Sequence, residues 1–165
     1  MHVGEVRFVV VGMRHRQRGF SLVELLVAMA IIAIILAVAI PVMSRARLNT
    51  AETMVVREMH TIAQSQTQYL SQFGKYAPTL AALGPPINGG GDGPQAAHLI
   101  PRSLATGERN GYLFVLTSSA GGYTVVASPK VFPNTGRRTF YLDQDGIVHQ
   151  NWGQELASAE SPEFE

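Results

Sequence analysis

The chain has 165 residues and a mass of 17.9 kDa, room for one ordinary domain and at most a very small second module. Thirteen Lys+Arg against twelve Asp+Glu leave a formal charge of +1, which excludes the dense positive field of a dedicated nucleic-acid binder. Cys is absent, which excludes a disulfide framework, a thiolate nucleophile and an iron–sulfur cluster, while an oxidising compartment stays open because disulfides are permitted there and not required.

Only 15% of residues are charged, and the depletion is local. Residues 1–19 form a short leader ending in Arg14, Arg16 and Arg18. Residues 20–43 are then apolar except for Ser21 and Glu24, and from Leu25 to Met43 no charge occurs. A helix of this length covers about 36 Å at about 1.5 Å per residue, enough for a hydrocarbon core of about 30 Å. Arg45 and Arg47 follow it, and the basic excess before it favours a cytoplasmic N-terminus. Residues 44–73 are polar but periodic. Leu48, Ala51, Val55, Met59, Ile62, Tyr69 and Phe73 recur at helical spacing with Gln66 on the same face, which predicts an amphipathic helix continuing the apolar one. Gly74 is the expected stop, and Pro41 predicts a kink within the joined helix, with two separate helices as the alternative.

Beyond residue 74 the texture changes to a head region, 74–165. Gly89 to Gly93 reads as a surface loop, since no Lys-Ser/Thr of a phosphate loop follows it. Ala96 to Ala105 predicts one or two helical turns limited by Pro101. Tyr112–Thr117, Tyr123–Ala127, Thr139–Leu142 and Ile147-Val148 predict strands, joined as hairpins at Gly121-Gly122 and Asp145-Gly146 into a small antiparallel sheet. The tail, 158–165, with three Glu and one Pro, is expected to be mobile.

Two readings of the N-terminus compete. Ala37-Val38-Ala39 has the form of a Sec cleavage site, which would release a secreted protein beginning near Ile40. Glu24 argues against it: a carboxylate in hydrocarbon costs about 2–3 kcal/mol, and no Lys, Arg or His follows within the run to pair with it. A hydrated Glu24 at the headgroups is the alternative.

Arg18-Gly19-Phe20-Ser21-Leu22-Val23-Glu24-Leu25-Leu26, followed by the apolar run and Pro41, closely resembles the N-terminus of type IV pilins and of the pseudopilins of type II secretion systems. The resemblance implies an α+β pilin-like fold, a long N-terminal helix packed on a small antiparallel sheet. It further implies that a prepilin peptidase removes residues 1–19 by cutting after Gly19 and N-methylates Phe20, and that Glu24 serves subunit recruitment. The implied product is a type IV pilus subunit (a pilin, from prepilin), a homo-polymer joined through its N-terminal helix. Its precursor would be a single-pass inner-membrane protein with a cytoplasmic N-terminus, in contact with lipid and with the assembly machinery before it becomes an extracellular filament (fimbrium). Protein secretion by a pseudopilus is the alternative within the family, and a secreted or singly anchored binding module the alternative outside it. Adhesion, motility, DNA uptake and electron transfer are all compatible with the motif.

Pilins of several groups close a C-terminal loop with a disulfide, which this chain cannot do. Asp143-Gln144-Asp145-Gly146 is faintly like the start of a calcium loop, but two carboxylates are too few for an ion wanting about six to eight oxygens, so a plain turn is expected and no metal or other cofactor is assigned. No enzyme is expected either. His2, His15, His60, His98 and His149 are scattered, and no Ser lies in a G-x-S-x-G elbow. Trp152 and the tyrosines are not interleaved with Lys or Arg as a single-strand stacking platform would be, which leaves packing as their expected role and nucleic acid unassigned.

Overall fold

The structure, a computed structural model, describes residues 20–86 and 90–164, and the chain divides into two units, Met1–Ile40 and Pro41–Glu165. A helix, α1 (Leu22–Phe73), runs through both. Two short helices, α2 (Leu80–Leu83) and α3 (Arg102–Ala105), precede strands β1 (Glu108–Arg109), β2 (Tyr112–Ser119), β3 (Gly122–Pro129), β4 (Arg138–Asp143) and β5 (Val148–Trp152).

In the first unit the described residues are helical from Leu22 onward and none is buried. In the second, the helix from Pro41 to Phe73 lays Val55, Met59, Ile62 and Tyr69 into a core completed by the sheet. Gly74 ends the helix as expected: its φ is +69°, and its amide donates to the Leu70 carbonyl at 2.8 Å. Left-handed backbone of this kind carries no Cβ penalty in glycine.

The five strands form one antiparallel meander in the order β1-β2-β3-β4-β5. Alternation decides which side chains face the helix. Tyr112, Phe114 and Leu116 of β2 are buried between exposed Leu113 and Val115, and Tyr123, Val125 and Ala127 of β3 repeat the pattern. The β2–β3 hairpin turns at Ala120-Gly121, and Gly122 already pairs with Ser119, one residue from the expected tip. The β4–β5 turn is as expected: Asp143 Oδ1 accepts from the Asp145 amide at 3.0 Å, and Gly146 has a φ of +78°.

Two regions depart from expectation. Residues 97–100 are not helical; the amides of Ala97, His98 and Leu99 donate to carbonyls of Ala82, Gly84 and Leu83. Pro101 disfavours helix in the residue before it and starts α3 instead, so only Arg102–Ala105 coil. The tail, expected to be mobile, is hydrogen-bonded along β5. The Gln150 amide donates to the Pro162 carbonyl at 2.8 Å, the Phe164 amide donates to the Val148 carbonyl at 2.8 Å, and the Phe164 ring meets Phe140 at 5.6 Å. One aromatic seated on the core outweighs the tail's acidic composition.

Candidate assembly site

Two clusters of side chains stand out, one in each unit. The first is the apolar segment with its acidic first turn. Gly19 lies outside the described residues. Phe20 is 79% exposed, and Glu24 sits in the opening turn of α1, a position that favours negative charge because the first amides of a helix lack internal partners. Leu22, Val23, Leu25, Leu26, Met29, Ile31, Ile32, Ile34 and Ile35 are each more than half exposed. Mean hydropathy over the most apolar window reaches 3.1, and none of that window is buried. Water cannot hold such a surface: each buried CH₂ contributes about 0.8 kcal/mol, and the segment presents dozens of such groups. Lipid or other apolar chains must cover it. Pro41 sits inside α1, and residues 37–43 remain helical through it.

The second cluster clasps helix to sheet. Glu52 is 2% exposed, and its Oε1 accepts the Arg137 amide at 2.9 Å while its Oε2 accepts Arg138 Nε at 2.8 Å and Nη2 at 2.6 Å. Arg138 also donates through Nη1 to Gln150 Oε1 at 2.8 Å and stacks its guanidinium on Trp152 and Phe164, 4.6 and 5.1 Å from their ring centroids. One carboxylate from the helix thus fixes β4, and through Arg138 it gathers β5 and the tail. Tyr112 completes the group by donating its hydroxyl to the Arg138 carbonyl at 3.0 Å. Burial, and then the nearby Glu52 charge, push its phenol above the ordinary range. Higher on the helix, Glu58 pairs with Arg109 at 3.0 Å, and buried Gln66 both donates to and accepts from the Ala77 backbone.

Gln66 lies on the buried face as its spacing predicts, whereas the position predicted for Ala51 is taken by Glu52 beside it. The signal was present: Leu48, Glu52, Val55, Met59, Ile62, Gln66, Tyr69 and Phe73 alternate steps of four and three without a break. A carboxylate in such a register is a buried carboxylate, and a buried carboxylate needs a cation from elsewhere in the fold.

Nothing among the described residues brings a catalytic set together. His60 is exposed, His98 lies 3.5 Å from Asp92 on the surface, and His149 Nδ1 contacts the Ser161 carbonyl. Among the described residues no three His, Cys, Asp or Glu converge as metal ligands, and Asp143 uses Oδ1 on its own turn.

A bare apolar helix half, continued by an amphipathic half that packs under an antiparallel meander, defines an α+β class of protein built on one long N-terminal helix. The family described as the prokaryotic N-terminal methylation motif matches residues 14–40. The chain is also 31% identical over 112 residues to the type IV wide pilus major component PilA4 of Thermus thermophilus, covering 68% of this chain and 82% of that protein. No solved structure gives a significant match. The chain belongs to the type IV pilin-like family, whose members are structural subunits rather than enzymes.

Proposed function

We propose that the chain is the structural subunit of a type IV pilus, held in the inner membrane as a precursor with its N-terminus cytoplasmic. A prepilin peptidase cuts it after Gly19 and methylates the new Phe20 amine, and the helices of many copies then pack into a fibre core. The observation that carries this reading is the bare segment: residues 22–43 present apolar side chains on every face, and the chain buries none of them. Lipid covers that surface in the precursor, and identical helices cover it in the filament. The methylation motif supports processing at the Gly19–Phe20 bond, and the pilus component of Thermus thermophilus supports assembly. Glu24 supplies the acid that meets the Phe20 amine of a neighbour. Pro41, which lacks an amide hydrogen, marks where the helix bends or melts between residues 37 and 43 once copies crowd together.

Mass spectrometry of filaments sheared from cells tests the reading. The expected mature terminus is Phe20 carrying one added methyl, and Gly19→Val should leave the precursor uncut in the membrane because a branched side chain enters a site shaped for none. A terminus at Ile40 would establish Sec processing and overturn the proposal.

A further inference from the structure

Arg137 and Arg138 are adjacent in sequence and opposite in use. Arg138 turns inward to Glu52. The Arg137 backbone is pinned from both sides, its amide on Glu52 Oε1 and its carbonyl accepting the Gly153 amide at 3.0 Å. Its side chain lines a cleft of about 440 Å³ together with Ser44, Arg47, Leu48, Pro133 and Asn134, all within the second unit. That volume lies in the range of about 300–1,000 Å³ usual for small-ligand sites.

The electrostatics of the cleft are one-sided. Among the described residues neither Arg47 nor Arg137 has a carboxylate partner. Among the described residues the Arg47 guanidinium reaches the Met43 sulfur, at 3.8 Å, a weak acceptor. Glu52 reaches this segment, but both its oxygens are occupied by the Arg137 amide and Arg138. Among the described residues no acid lines the cleft. Two cations sharing one cleft repel unless an anion lies between them. The loop that carries Asn134 is closed independently, by the Thr135 amide donating to the Val131 carbonyl and the Val131 amide donating to Thr135 Oγ1. The walls are therefore in place without a ligand.

Position selects the anion. Met43 is the last residue of the apolar run, and Ser44 and Arg47 occupy the next turn. When the run spans a bilayer, that turn lies at the level of the lipid phosphates on the face away from the N-terminus, where a guanidinium can pair with a headgroup phosphate. Two guanidiniums beside the Asn134 amide suit a tetrahedral oxyanion, since the planar forks donate two hydrogen bonds each.

We propose that the cleft between Arg47 and Arg137 binds a phosphate group, supplied by a phospholipid headgroup at the membrane exit of the helix. This rests on the membrane-stored precursor proposed above. The test titrates the full-length chain in mild detergent with phosphatidylglycerol and reads retained lipid by native mass spectrometry. Arg47→Gln and Arg137→Gln should each weaken retention about fivefold and the pair roughly thirtyfold, while Arg57→Gln, at an exposed arginine outside the cleft, changes nothing. Retention lost equally in Arg57→Gln, or kept in the double variant, overturns the site. Displacement by inorganic phosphate with the same dependence on both arginines supports the phosphate chemistry and assigns its source to free anion. Unchanged retention with reduced filament yield in the double variant overturns the proposal in favour of a neighbour's carboxylate. Insertion of the wild-type chain into phosphatidylglycerol vesicles is measured alongside: failure there removes the membrane reading itself, whereas insertion with equal retention in every variant overturns the cleft alone.

Discussion

The two halves of α1 use apolar residues in opposite ways. From Leu22 to Met43 they occupy every face and none is buried; from Leu48 to Phe73 they occupy one face and meet the sheet. The difference teaches that pattern and content carry separate information. A one-sided stripe finds its partner within the chain, because a single sheet can cover it. An all-round apolar helix needs partners on all sides, and a head of this size cannot supply them. Each half also holds a carboxylate, Glu24 in the first and Glu52 in the second. Glu52 is paired within the chain, and under the proposed function Glu24 is paired between chains.

The largest expected effect comes from removing the intermolecular acid. Glu24→Ala should still insert in the membrane and still be cut, since neither step needs the charge. Sheared filament, normalised to cleaved protein in the membrane, should fall steeply, because leaving a Phe20 amine buried without its counter-charge costs about 3–5 kcal/mol per subunit. Thermal unfolding of the head should be unchanged. Normal filament yield would erase the contrast between the two acids.

Glu52→Ala should do the reverse. It leaves the Arg138 guanidinium, itself only 16% exposed, without its carboxylate and the Arg137 amide without its acceptor, a loss of about 3–5 kcal/mol in head stability. Thermal unfolding of the full-length chain in detergent measures it, and membrane insertion should be unaffected.

An alkaline titration tests the packed half by a different route. Burial, followed by nearby Tyr76 and Asp143, pushes the Tyr123 phenol up to about 12. A raised folded value means the folded state holds its proton where the unfolded state has released it. The stabilisation is therefore full below pH about 10 and is lost as pH rises through about 12. Unfolding followed by circular dichroism should steepen across that window, and Tyr123→Phe should flatten it.

The smallest effect is at the helix end. Gly74→Ala meets nothing within 4 Å, so only the left-handed φ of +69° is penalised, by about 1 kcal/mol. A drop of several kcal/mol in thermal unfolding would mean that the packed half ends differently.

Much of this was legible because it depends on short-range rules. The apolar helical run from Leu22, the Gly74 stop and the Asp145-Gly146 turn follow from residue type and neighbouring backbone alone. The buried face of the second half was read with one residue misplaced, since Ala51 looks apolar and Glu52 does not, although only Glu52 keeps the four-three register. What hid it was the cation, since Arg138 lies 86 residues away. The tail failed for a similar reason. Its composition is that of a mobile end, and Phe164 anchors it only because β4 and β5 bring Phe140 and Arg138 beneath the ring.

By itself, then, the sequence determined that one end of the molecule must leave water and that the other end folds as a helix under a sheet. Both conclusions follow from period and composition, properties of contiguous residues. Only the tertiary structure decided which polar groups serve that fold. Whether Glu52 is a liability or a clasp, and whether Arg137 or Arg138 turns inward, depends on a backbone amide and a guanidinium meeting one carboxylate across 85 and 86 residues of chain. A buried charge is stable only beside its partner, and the fold alone brings partners that distant together.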